Sequence, residues 1–171
     1  MDIISHGLWG SVAFGRRNSN SFWASFLFGI MPDFVAFAPF FALAILGFYK
    51  FPKFSTEPPS PGIFPDYIFN LYSISHSLLI FGAAFLITWL ILKRPFWEMS
   101  AWGLHILFDI PTHSDSFFPT PFLWPLSSFH VSGIPWADPI IFIPNVILLI
   151  TLYLYFFVYK KKNELVSKNL N

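Results

Sequence analysis

Five apolar stretches, at roughly 3–15, 21–49, 71–92, 96–112 and 140–159, dictate what this chain can become. A hydrocarbon core of about 30 Å is crossed by about 20 helical residues, and the third and fifth stretches are long enough to do so. The second is too long for one straight span. Pro32-Asp33 and Pro39 within it predict a kink there, because proline removes a backbone donor and clashes with the preceding turn. The first and fourth are short, and are expected to be tilted, partly submerged or packed against protein. Residues of about 51–70 and 113–139 hold most of the prolines, including Pro58, Pro59 and Pro61, and are expected as irregular loops outside the bilayer or at its surface. The expected fold is an all-α membrane protein. It is a polytopic bundle of about five apolar helices, some short or kinked, in one integral membrane domain over 1–171 with a short basic tail at 160–171.

Composition agrees with that fold. Of 171 residues 55% are hydrophobic and 11% charged, against about 25% charged in soluble domains. With no cysteine, neither a disulfide nor a thiolate metal site can form, so any metal must be held by nitrogen and oxygen. The opening Met1-Asp2-Ile3 lacks the basic start of a signal peptide. The placement of the cations gives an orientation. Arg16 and Arg17 follow the first stretch, Lys93 and Arg94 separate the third from the fourth, and Lys160, Lys161, Lys162 and Lys168 follow the fifth. If each stretch crosses once, all of these share one side and only Lys50 and Lys53 fall opposite. The positive-inside rule makes the richer side cytoplasmic. The protein is therefore expected in the cell (inner) membrane, N-terminus out and C-terminus in, with both long loops outside.

Ionisable groups inside such hydrocarbon are costly and usually mark function. The segment from Leu104 to His113 carries three of them. His105 and Asp109 are four apart, one helical turn on one face, and an imidazole and a carboxylate so placed can chelate a cation such as zinc. His6, Asp33 and His76 repeat the expense. Counted at 1.5 Å per residue from the cation-flanked ends, the five groups lie roughly 15–25 Å deep, in one slab of the outer half-membrane. A shared centre opening to the outer face requires that agreement; independent placement does not. His6, Asp33, His76, His105 and Asp109 are the candidate metal ligands, with Asp33 and His113 as candidate catalytic residues.

Each also has a more ordinary explanation. His6, near the terminus, suits an interfacial histidine, and Asp33 suits the N-cap of a helix restarted after Pro32. His76 has Ser75 and Ser77 beside it as hydrogen-bond partners, and His105 and Asp109 could simply bond to each other. His113 and Asp115 begin the outer loop, where solvent could satisfy them; His130 and Asp138 read as loop-surface residues.

The same residues carry a resemblance. Ser5-His6-Gly7, Pro32-Asp33, Ser75-His76-Ser77, and His105 with Asp109, Thr112-His113-Ser114 and Leu123-Trp124-Pro125-Leu126 resemble, in order and spacing, the YdjM-like family of membrane-bound proteins read as metal-dependent hydrolases. The likeness covers residues 1 to about 127. Where such proteins often read Pro-Asp-x-Asp and Arg-Gly-x-Thr-His-Ser, this chain has Pro32-Asp33-Phe34-Val35 and Tyr72-Ser73-Ile74-Ser75-His76-Ser77, without the second acid or the arginine. That departure leaves open the number of metals and any basic anchor for a substrate. The His/Asp order is also distantly similar to the zinc-dependent phospholipase C and P1 nuclease group. That likeness implies Asp33, His76, His105 and Asp109 around one ion, with Asp109 bridging to a second ion on His6.

The chemistry expected of such a centre is hydrolysis. Zinc held by imidazoles and carboxylates supplies hydroxide near neutral pH. Asp33 suits the general base. An outward-opening site suits a phosphoester or phosphodiester of a membrane lipid or lipid-linked substrate. One or two Zn2+ ions are expected from a ligand set that is half imidazole, with Mn2+ or Fe2+ also compatible. A proton or metal-ion transporter would also need intramembrane His and Asp, but spaced through both halves of the bilayer. A non-catalytic protein with a structural metal site would close all four positions. No Gly-x-Ser-x-Gly elbow is present. The basic residues sit at span ends, as topology alone requires, so no nucleic-acid partner is expected.

Overall fold

Small residues set how closely the first two helices approach. In a computed structural model describing residues 1–51 and 61–160, helix α1 (Ile3–Phe14) turns back into α2 (Ser19–Ile45). Lys53, Pro58, Pro59 and the basic tail beyond Lys160 lie outside the described residues. The helices are started by side-chain caps: Asp2 accepts from the Ser5 amide and Asn18 from the Ser21 amide, both at 2.9 Å. Where α1 and α2 cross, a Cβ on Gly29 would stand 2.5 Å from the His6 carbonyl oxygen, and one on Gly10 2.7 Å from that of Ser25. Only glycine permits this backbone contact, the usual device for packing helices in lipid.

α2 runs unbroken through Pro32 and Pro39 for 27 residues. The helix expected to restart at Pro32-Asp33 is therefore a single element, and Asp33 lies in its interior and caps nothing. Each proline forfeits one donor. The stripe Pro32, Ala36, Phe40 and Ala44, one residue per turn, is buried, and Ala36 and Phe40 pack on Phe64, Ile68, Tyr72 and Phe118.

The third apolar stretch differs from expectation twice. Its helix α3 (Asp66–Ser75) begins inside the expected 51–70 loop, because Ile68 and Tyr72, one turn apart, bury against α2. It then ends at His76, and α4 (Leu78–Leu92) leaves with a 54° bend. Ser77 makes the break. Its hydroxyl accepts from the amides of Leu79 and Ile80 at 3.2 Å, and donates to the Trp124 carbonyl. The Leu78 amide donates to the Phe122 carbonyl at 2.9 Å, so groups freed by the bend are paired with the 122–124 segment.

A single 3₁₀ turn (Trp97–Met99) leads into α5 (Ser100–Thr112). The 113–138 segment is irregular, as expected, apart from one bridge between Ser114 and Phe117. α6 (Pro139–Tyr153) continues through a π turn to Tyr159. Asn145 of α6 ties to α1, accepting from Trp9 Nε1 at 2.7 Å and donating to Ser5 Oγ at 2.9 Å. At the other end of α1, Glu98 is buried and accepts from Arg17 at 2.8 Å and Ser21 at 2.7 Å, pinning the α1–α2 turn to the start of α5.

The described residues thus form six α-helices from five apolar stretches. Ser19–Ile45 and Pro139–Tyr159 are each long and apolar enough to cross a membrane, and α3 with α4 makes a third if the bent pair is one span. α1 has 12 residues and α5 has 13, about 18–20 Å each, while α2 extends about 40 Å. Beyond Asp33, α2 therefore outruns α1 and packs on α3 and the outer segments instead. The outward faces of α4 and α6, with Leu86, Leu90, Ile143, Ile147 and Ile150 exposed, suit contact with lipid.

Two glycine substitutions separate these ideas. Gly29→Ala is expected to cost about 1–3 kcal/mol by forcing α1 off α2. Gly82→Ala, where a Cβ meets nothing within 4 Å, is expected to be neutral or to stabilise α4 by up to about 1 kcal/mol. Thermal unfolding in detergent distinguishes the two.

Candidate metal centre

Four elements deliver the polar side chains. α1 supplies His6, the middle of α2 supplies Asp33, the α3–α4 break supplies His76, and α5 supplies His105 and Asp109. One ligand atom each from Asp33, His76, His105 and Asp109 lie within 4.8 Å of one another, and this buried group could hold a metal ion.

Backbone carbonyls set the imidazole tautomers. His105 Nδ1 lies 2.6 Å from the Gly29 carbonyl oxygen, and His76 Nδ1 lies 3.1 Å from that of Tyr72. A carbonyl only accepts, so these contacts favour the tautomer with the proton on Nδ1, which in a neutral ring leaves Nε2 as a bare lone pair. Those two lone-pair nitrogens stand 3.1 Å apart. Asp109 Oδ2 is 3.0 Å from His105 Nε2 and 3.5 Å from His76 Nε2; Asp33 Oδ1 is 3.8 and 3.4 Å from the same two atoms. Asp109 Oδ2 has no hydrogen-bond partner.

Four acceptors thus face one another in a buried space. One added proton would serve one of these contacts; a divalent cation serves all of them. The spacing suits it as well. Ligands held about 2.0–2.1 Å from a tetrahedral ion stand about 3.3 Å apart, near the middle of the 3.0–3.8 Å spanned by the five separations that involve a histidine nitrogen. The carbonyl bonds at Nδ1 fix ring orientation, as outer partners do in metal sites.

Asp109 is divided between two sides. Its Oδ1 lies 2.8 Å from His6 Nε2, without hydrogen-bond geometry, and 3.4 Å from His113 Nδ1. The Met1 amino group donates to the same oxygen, and at 3.2 Å to Thr112 Oγ1. The His6 ring stacks on His105 with centroids 3.6 Å apart. Both His6 nitrogens are buried without partners, so His6 is not a solvated interfacial residue.

Ser75 does reach His76, but at Nδ1, leaving Nε2 for the centre. The His105–Asp109 pair is real and is only one edge of the group. His113 is buried rather than solvated, its Nδ1 3.3 Å from the Asp109 carbonyl oxygen. Asp115 and His130 form an exposed pair at 3.2 Å, and Asp138 caps α6 through the Ile140 amide; the structure brings none of the three to the centre.

Other contributors to the centre do not stand out in the sequence. Tyr72 stacks on His76 with centroids 3.7 Å apart besides giving it a carbonyl. Its position four residues before His76 is the one signal that points to it. The Gly29 carbonyl and the Met1 amine carry no residue-type signal at all.

The centre is sealed on most sides: His6, His76, His105 and Asp109 are at most 1% exposed. Asp33 and His113, unlike these four, line a cavity of about 680 Å³, with Met1, Asp2 and Tyr72 beside them. Its other walls are overwhelmingly apolar, among them Phe34, Phe37, Ala38, Phe41, Ile45 and Phe118. Comparison with protein-family models, curated proteins and solved structures finds no match to this chain, so its own geometry is what bears on its function.

Proposed function

We propose that this protein is a membrane-embedded, metal-dependent hydrolase that cleaves a phosphoester or phosphodiester in a lipid or lipid-linked substrate. The observation that carries the proposal is the route to the centre: Asp33 and His113 open on the cavity, and apart from Asp2 and Met1 at one end the walls around them are overwhelmingly apolar. A substrate arriving there presents a polar group to Asp33 and His113 and rests its remainder on aromatic walls. From Asp33 to Ile45 the cavity follows α2 for about 18 Å. That is on the order of one leaflet's hydrocarbon, about 15 Å.

A bound ion here would lower the pKa of water and offset charge on the substrate oxygen. The chain's residues do the rest. Asp33, partly open to the cavity, accepts the proton of the attacking water. His113, held through Nδ1 at the Asp109 carbonyl, would as the imidazolium give its Nε2 proton to the leaving oxygen and be reset by the proton that Asp33 took from water. The aromatic walls exclude bulk water and hold the scissile group still. We favour Zn2+ over Mn2+ or Fe2+ because half of the ligand atoms are imidazole nitrogens. The placing of Asp109 between His6 and the other three ligands suits one or two ions. The gathering of Arg16, Arg17 and Lys160 at the end away from the centre also supports this reading, since it favours an orientation with the centre outward and the C-terminus cytoplasmic.

Elemental analysis of freshly purified protein tests the metal. Roughly stoichiometric zinc is expected in the wild type and its loss in Asp109→Ala and His105→Ala; a wild type without any tightly bound transition metal ends the proposal. His113→Ala is expected to keep its metal and lose about 10²–10⁴-fold in hydrolysis. Ala38→Trp, which narrows the cavity, is expected to slow a long-chain phosphodiester roughly tenfold or more while sparing a water-soluble one. Equal losses on both substrates would show that the cavity holds no chain.

A further inference from the structure

The opposite end of the bundle carries a second concavity, of about 860 Å³, between the α1–α2 turn and the end of α6. We propose that it binds the phosphate headgroup of an anionic phospholipid. Its rim is formed by Arg16, Arg17 and Lys160, and Phe22, Phe156 and Phe157 contribute to its wall. Topology asks only that cations lie on one face of a membrane protein. It does not ask that cations from two distant segments converge on one hollow, as these do.

The charges are arranged for a single anion. Glu98 engages Arg17 at 2.8 Å, so that pair is internally balanced. Among the described residues, Arg16 and Lys160 have no acidic partner and line the hollow. The Arg16 guanidinium carbon lies 4.2 Å from the centre of the Phe156 ring, a cation–π contact that holds the group at the hollow, where its paired N–H donors suit bidentate contact with phosphate oxygens. Lys160 adds a point charge to the same lining. Cations together with aromatic walls match a headgroup with its glycerol and upper chain, whereas free phosphate would use only the cations. Basic pockets between helices on the cytoplasmic face hold anionic headgroups elsewhere in this way. The inference is independent of the metal centre and of any hydrolysis there.

The test measures phospholipid retained per protein after exchange with vesicles of equal parts phosphatidylglycerol and phosphatidylcholine, read by native mass spectrometry, with inorganic phosphate as a separate arm. Wild type is expected to retain one phosphatidylglycerol selectively. Arg16→Ala/Lys160→Ala is expected to weaken retention about thirtyfold. Lys93→Ala/Arg94→Ala removes equal charge from residues that do not line the hollow, and is expected to leave retention unchanged. Ala13→Trp keeps every cation but fills the hollow, and is expected to lower retention even if the double variant fails to fold. The proposal is overturned if Lys93→Ala/Arg94→Ala lowers retention as much as Arg16→Ala/Lys160→Ala. It is also overturned if Ala13→Trp has no effect, or if inorganic phosphate binds as tightly as the lipid.

Discussion

A carboxylate without access to water must have its charge answered from within, and Asp109 is such a group. Fully buried on α5, it has one oxygen toward His6 and the Met1 amine and the other toward His76 and His105. An uncompensated charge there would cost several kcal/mol. Its neighbours come from α1, the α3–α4 break and α5 itself, so the group of acceptors that a cation would bridge to Asp109 exists only where those elements meet. The shortness of α1 and α5 and the break at His76 are the geometry that brings them there.

The architecture has two ends of different character. At one, imidazoles and carboxylates are enclosed and meet an aromatic cavity through Asp33 and His113. At the other, cations stand open around a hollow, with Glu98 buried among them. α1 runs between the two, and its length of about 18 Å sets their separation. The ends therefore operate in different surroundings while sharing one rigid helix pair.

Much of the centre is legible in the residues alone. His6, Asp33, His76, His105 and Asp109 stand out because ionisable groups are scarce in this chain, and residue counting puts them at one depth. The fold is legible more coarsely. Apolar stretches announce helices in lipid, but not where one ends: the polar trio Ser75-His76-Ser77 interrupts the third stretch where the backbone turns, yet three polar residues are equally compatible with the buried face of a continuous helix. Ser77 is the local cause of that turn, and a serine inside an apolar run is equally at home within a helix. Pro32 misleads in the opposite sense, since its stripe of buried neighbours holds α2 together past a missing donor. His113 is ambiguous because its burial depends on segments remote in sequence, among them Gly133, whose amide bonds to the His113 carbonyl at 2.7 Å. Contributions made by main-chain atoms, such as the Gly29 carbonyl, have no signature in residue type.

Gly29 joins two tasks at one residue. Its missing side chain lets α1 lie against α2, and its carbonyl oxygen holds the tautomer of His105, 76 positions later. The ring is therefore oriented only after α5 has docked on α2. Until then the histidine is free to rotate and exchange its proton between nitrogens, and offers no fixed donor. A cation meeting the unassembled chain would find scattered single ligands of low affinity, and strong capture would need the assembled bundle. For any ion this group holds, assembly would precede loading, and a main-chain oxygen is what sets that order.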